Sequence, residues 1–126
     1  MIDSRAVLIV EDDKGCVDLI DEVVKDLGCQ TEVCGRVADA VSIIAERAPR
    51  LVILDVMLLD GEGFQVLESI RADPRTASIP VILCTAALLE ATAYYQPAQD
   101  ERTELVLKPF HILSFVETIT RMLALS

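Results

Sequence analysis

The sequence has no apolar run near the ~20 residues that a membrane-spanning helix needs, because charge or proline interrupts each one. Its first apolar stretch, Ala6-Val-Leu-Ile-Val10, meets three acids at once and is too short for the hydrophobic region of a secretory signal. Basic residues are scarce. Eleven Lys+Arg against 21 Asp+Glu give a net charge of −10, with no basic cluster. That balance argues against direct nucleic-acid binding, where neutralising phosphates supplies most of the affinity. The surplus acid points to solubility and to no particular partner. There is one histidine, His111, and no C-x-x-C pair, so a zinc site has no ligand pattern. Internal repeats, low-complexity segments and linkers are also missing, which leaves a single domain over residues 1–126.

Disulfides are disfavoured as well. Cys29 and Cys34 flank a predicted strand, about 16 Å apart at strand rise, well beyond the ~7 Å limit for a bridge. Their odd offset also points them to opposite faces. Reduced thiols in a cytoplasmic domain are the expectation, with Cys16 and Cys84 filling the core.

What is present is apolar material in order. Hydrophobic residues make up 52% of the 126 positions, which excludes intrinsic disorder. A chain of this size buries roughly two-thirds of its unfolded surface without staples. Ala6–Val10, Leu51–Leu54 and Pro80–Cys84 are continuous apolar runs, the pattern of strands buried on both faces. Gln30–Cys34 alternates and is half polar, which predicts an edge strand, and Glu104–Leu107 is a short fifth strand.

Between them the spacing turns helical. Positions 16, 17, 19, 20, 23, 24 and 27 form a stripe ended by Gly28. Val41, Ile44, Ala45 and Ala48 share a face of a helix over 37–48, stopped by Pro49. Phe64, Leu67 and Ile70 line a third helix that ends before Pro74. A helix over 86–93 follows the fourth strand, with Tyr94-Tyr95 at its end. Ile112, Phe115, Val116, Ile119, Met122 and Leu123 mark the last. Strand–helix five times over predicts an α/β fold with a five-stranded parallel sheet between two helical layers. Right-handed crossovers and a half-polar second strand favour the order 2-1-3-4-5, a flavodoxin-like doubly wound (βα)5 sandwich.

In such a sheet the ligand crevice lies beyond the carboxyl ends of strands 1 and 3. Glu11, Asp12 and Asp13 follow strand 1, and Asp55 closes strand 3. Carboxylates gathered this way repel one another unless a cation intervenes. An oxygen-only set of this kind suits Mg²⁺. Thr85 and Lys108, ending strands 4 and 5, add a hydroxyl and an ammonium. Acids at strand ends are often plain solvated loop residues, but chemistry-bearing groups on four strand ends argue for a site. Asp13 is expected to start the first helix rather than bind metal, and His111 to be a solvated surface residue.

These residues resemble the receiver domain of two-component response regulators. The matching pieces are VLIVEDD (7–13), LVILDVML (51–58), PVILCTA (80–86) and LVLKPF (105–110), and together they cover the chain. The resemblance implies that Asp55 accepts a phosphoryl group from a histidine kinase or histidine phosphotransfer protein. It implies Mg²⁺ held directly by Asp12 and Asp55, by Glu11 largely through water, and by the Met57 backbone carbonyl. Thr85 would bind phosphoryl oxygens, Lys108 would pair with the phosphate, and Lys108-Pro109 would be cis. Such a domain is not an enzyme in the ordinary sense. It assists its own phosphorylation and dephosphorylation and switches a surface read by a downstream effector.

Four departures from the family pattern stand out. Leu59 replaces a usual proline, and Glu62-Gly63 replaces Asp-Gly. QDERTE (99–104) lacks the usual glycine. Leu105 replaces the aromatic three residues before the lysine, so the aromatic rotamer switch is not expected here. Two other families with related features fit less well. A flavodoxin would place a phosphate where Glu11-Asp-Asp13 repels it. A haloacid-dehalogenase-like phosphatase has a second Asp where Met57 stands. A degenerate receiver that only binds proteins is the remaining alternative, and the full set of Glu11, Asp12, Asp55, Thr85 and Lys108 argues against it.

Overall fold

Strands that are apolar on both faces need cover on both sides, and the chain supplies it from helices before and behind the sheet. The computed structural model describes residues 5–86 and 101–126. Its sheet contains β1 (Val7–Val10), β2 (Thr31–Cys34), β3 (Leu51–Asp55), β4 (Val81–Thr85) and β5 (Thr103–Leu107). The order is β2-β1-β3-β4-β5 and every pairing is parallel, as the strand composition predicted. The half-polar β2 is at one edge, with Val33 44% exposed. The helices are α1 (Lys14–Asp26), α2 (Val37–Arg47), α3 (Gly63–Ala72) and α4 (Ile112–Leu123). The helix expected over 86–93 and Tyr94-Tyr95 fall, apart from Ala86, outside the described residues.

Strand parity divides the interior in two. Leu8, Val10, Val52, Leu54, Val81 and Leu83 face one way and pack with α2 and α3. Val7, Ile9, Leu51, Ile53, Ile82 and Cys84 face the other way and pack with α1 and α4. Cys29 joins the second cluster and Cys34 the first, as their odd offset requires. All four thiols are free. Cys84 is buried, whereas Cys16 is only half-buried and is not the core filler it was expected to be.

The helix ends show what sets their limits. Asp13 caps α1 by accepting the Cys16 amide at 3.0 Å, so the helix begins at Lys14, two residues before its apolar stripe. Past its other end, Gly28 takes φ 85°, the left-handed conformation that a side chain disfavours. On α2 the buried positions are Ala40 and Ile44, while Ala45 faces solvent, so the stripe is rotated from the expected face. Ile112, expected in the core, is 43% exposed at the first turn of α4. One element has no counterpart in the periodicity: Met57–Leu58 pairs antiparallel with Gly61–Glu62, a small hairpin directly after β3.

The loop before β4 and the entry to β5 are joined by one side chain. Arg71, at the end of α3, donates to the carbonyls of Ala77 at 3.0 Å and Ile79 at 2.7 Å. Its other nitrogen reaches Arg102 O at 3.0 Å and Thr103 Oγ1 at 2.8 Å. Only a planar guanidinium can serve four acceptors spread this way.

Candidate functional site

The parity that fills the core also builds the site above it. Ile9, Ile53 and Val106 face the α1/α4 side. Two residues further along each strand direction stand Glu11, Asp55 and Lys108. The apolar column therefore ends in two carboxyls and an ammonium. Glu11 is 3% exposed and Asp55 8%. Lys108 Nζ donates to Glu11 Oε1 and, at 3.3 Å, to Asp55 Oδ2. Asp12 is exposed beside them, and its backbone N–H donates to Glu11 Oε2 at 3.2 Å. Glu11, Asp12 and Asp55 each offer an oxygen within 4.8 Å of the others.

The backbone frames the same place. The amide of Glu11 continues the β1–β2 ladder to Cys34 O at 2.9 Å, and Val56 N reaches Cys84 O at 3.4 Å. Met57 N–H donates to Asp55 Oδ1 at 3.2 Å, which fixes one carboxylate oxygen while Lys108 holds the other. The Met57 side chain itself is 62% exposed. Thr85 ends β4 at this end of the sheet, 1% exposed and one residue past the partner of Asp55. Lys108 N donates to Thr85 O at 3.0 Å, and the Lys108–Pro109 bond is cis.

One ammonium does not offset this much negative charge. Burial, and then hydrogen bonding with the Asp55 carboxyl, push Glu11 up to about 7 against the pull of Lys108. Burial alone would lower Lys108, but its bond to Glu11 and the charge of Asp55 outweigh that and raise it. Nearby thiols stay protonated: burial, then the Asp13 contact, push Cys16 up to about 11, and burial raises Cys84 further still. A hard divalent cation fits this donor set, which is oxygen throughout and short of positive charge.

The raised Glu11 carboxyl links stability to pH. Between its ordinary 4.5 and about 7 the folded chain keeps a proton that the unfolded chain releases. Stability is therefore favoured below that window and lost as pH rises through it, by an amount on the order of 3 kcal/mol at ~1.4 kcal/mol per unit. Urea midpoints without divalent cation should fall from pH 5 to pH 8, and Glu11→Gln should flatten the fall. An equally steep fall in the variant would contradict the assignment.

A model of the response regulator receiver domain matches residues 7–120. The chain belongs to that family. Among curated relatives, it is 36% identical over 88 residues to the transcriptional regulatory protein GltR of Pseudomonas aeruginosa, covering 70% of this chain and 36% of that protein. It is 32% identical over 123 residues to the regulatory protein VanRc of Enterococcus gallinarum, covering 95% of this chain and 50% of that one. The chain thus spans half or less of the length of these relatives. Solved structures agree on the fold. The receiver domain of sensor histidine kinase PA1611 from Pseudomonas aeruginosa, which has a magnesium ion coordinated in its active-site cleft, superposes with TM-score 0.82 at 20% identity, covering 97% of this chain and 99% of that one. The receiver domain of Erythrobacter litoralis PhyR gives 0.79 at 28% identity, covering 96% and 91%.

Of the receiver residues named from the sequence, Glu11, Asp12, Asp55 and Lys108 converge, and Met57 meets them through its backbone. Asp13 caps α1, as expected, and stays out of the cluster. Leu105 packs half-buried against the α2/α3 core. His111 is exposed, but it also caps α4: its Nδ1 lies 3.4 Å from the Ser114 amide and 3.1 Å from the Ser114 hydroxyl. Histidine is not among the preferred cap residues, so nothing in the sequence signalled this.

Proposed function

We propose that this receiver domain takes a phosphoryl group onto Asp55 from a phosphohistidine of a histidine kinase or phosphotransfer protein, in a Mg²⁺-dependent step. The observation that carries the reading is the meeting of Asp55 with two further carboxyls and one lysine at the carboxyl ends of β1, β3 and β5. Residues 1–126 form the receiver unit, and its modification switches a surface read by a downstream effector.

In the transfer, a carboxylate oxygen of Asp55 forms the bond to phosphorus as the phosphorus–nitrogen bond of the donor breaks. The imidazole leaves with that electron pair. The Met57 amide and Lys108 each engage one Asp55 oxygen and so orient the carboxylate before the donor arrives. Lys108 then offsets charge on the phosphoryl oxygens, and Thr85 supplies a hydroxyl from the end of β4. Asp12, Asp55, the Met57 carbonyl and, through water, Glu11 would hold Mg²⁺, which when bound neutralises negative charge on the transferring group.

Beryllofluoride, a mimic of the phosphoryl group, gives a direct test. It should bind the wild type only when Mg²⁺ is present, and binding without Mg²⁺ would contradict the reading. Release of the phosphoryl group should be slow. Hydrolysis needs a water held in line with the Asp55–phosphorus bond, and the methionine side chain beside it offers no strong hydrogen bond to hold one. Met57→Asn is expected to speed dephosphorylation severalfold. An unchanged or slower rate would count against this role for position 57.

A further inference from the structure

The hairpin after Asp55 is fastened at its base and at its tip. At the base, Gly63 N–H donates to Val56 O at 2.6 Å, and the ladder pairs Met57 with Glu62. At the tip, the Asp60 carboxylate accepts the amides of Val37 at 2.7 Å and Ala38 at 3.3 Å, the first two residues of α2. These amides, Val37 first, hold the Asp60 carboxyl below its ordinary range. The residue in the cap position of α2, Arg36, makes no side-chain cap bond. The helix is capped instead from 23 residues further along the chain. Beside Asp60, Leu59 is 81% exposed and lacks the locked φ of a proline.

We propose that Asp60 is a positioning residue for the cation site. By tethering the hairpin tip to α2, it holds the Met57 backbone in place before a cation binds. The proposal rests on the Mg²⁺ reading given above. Without the tether, the hairpin must be ordered at the moment of binding, and that ordering lowers affinity. Residues that orient ligands from outside the coordination sphere typically change metal affinity by about tenfold or more. Coupling is reciprocal, so Mg²⁺ at the site should also slow hydrogen exchange at the Val37 and Ala38 amides.

A residue that only caps a helix behaves differently, and four proteins separate the two roles: wild type, Asp60→Asn, Asp60→Ala, and Asp60→Ala combined with Arg36→Ser. Asn and Ala carry the same charge, but only Asn keeps an acceptor oxygen. Arg36→Ser gives α2 a cap of preferred type and, with Asp60→Ala, leaves net charge unchanged. Mg²⁺ dissociation constants by calorimetry and urea midpoints are measured for each. Asp60→Asn should bind Mg²⁺ nearly as wild type does, and Asp60→Ala about tenfold more weakly. The double variant should regain the urea midpoint without regaining Mg²⁺ affinity. Wild-type affinity in Asp60→Ala, or its return in the double variant, overturns the proposal. If the double variant does not regain the midpoint, exchange at Val37 and Ala38 in the wild type decides, and absence of slowing by Mg²⁺ overturns the tether. If the wild type takes up no Mg²⁺, the reading beneath the proposal fails with it.

Discussion

Asp55→Asn is expected to gain no phosphoryl mass under conditions in which the wild type gains one. The substitution keeps the shape of the side chain, and its amide oxygen can still accept a hydrogen bond from Lys108 or the Met57 amide. It removes the anionic oxygen that must bond to phosphorus. The fold should survive, because Asp55 is one of the groups that push Glu11 upward and its charge is a burden on the cation-free site. Intact mass after treatment with a small phosphodonor and Mg²⁺ separates loss of chemistry from loss of structure, provided the variant keeps a cooperative urea transition. Equal labelling of wild type and variant would remove Asp55 from its role.

The largest effect on stability should come from Gly63→Ala. Gly63 opens α3 directly beneath the end of β3, with its amide on Val56 O at 2.6 Å. A Cβ at this position would overlap the backbone carbonyl oxygen of Asp55 and crowd Val56 Cα at 3.1 Å. Neither neighbour is a flexible side chain, so the strand end itself must move. Overpacking against fixed backbone typically costs about 1–3 kcal/mol, and the upper part of that range is expected here. Phosphorylation should weaken too, since the displaced segment carries the acceptor. Gly28→Ala makes the contrast: a Cβ there meets nothing within 4 Å, and only the left-handed φ of 85° opposes it. Its cost should be about 1–2 kcal/mol, with phosphorylation unaffected. Urea midpoints of the two variants give the comparison, and a milder effect at Gly63 than at Gly28 would contradict this account.

The glycine at 63 shows how much of this protein could be read from the sequence. From the sequence, Glu62-Gly63 stands out only as a departure from the Asp-Gly of the family pattern, whereas the structure makes Gly63 a point of backbone contact under the acceptor. The sheet order, the two cores and the convergence of Glu11, Asp55 and Lys108 were all legible, because strand parity carries a local apolar pattern forward to the strand ends. What escaped depends on contacts distant in sequence. The amides of α2 that Asp60 caps lie 22 and 23 residues from it, and the Arg102 carbonyl that Arg71 ties to its own loop lies 31 residues away, so no local pattern signals either. The face of α2 was misjudged at Ala45 for a related reason. Alanine is compatible with core and solvent alike, and the choice of Ala40 is made by tertiary packing rather than by spacing.

The central claim, that Asp55 accepts a phosphoryl group in a Mg²⁺-dependent step, is tested most directly by reductive trapping. Borohydride converts an aspartyl phosphate to homoserine, and peptide fragmentation by mass spectrometry then locates the residue. With phosphodonor and Mg²⁺ together, homoserine should appear at position 55 and not at Asp12, and Glu11 should show no reduction to its own five-carbon alcohol. With either component omitted, position 55 should remain aspartate. Homoserine at another position, or at position 55 without Mg²⁺, would contradict the account.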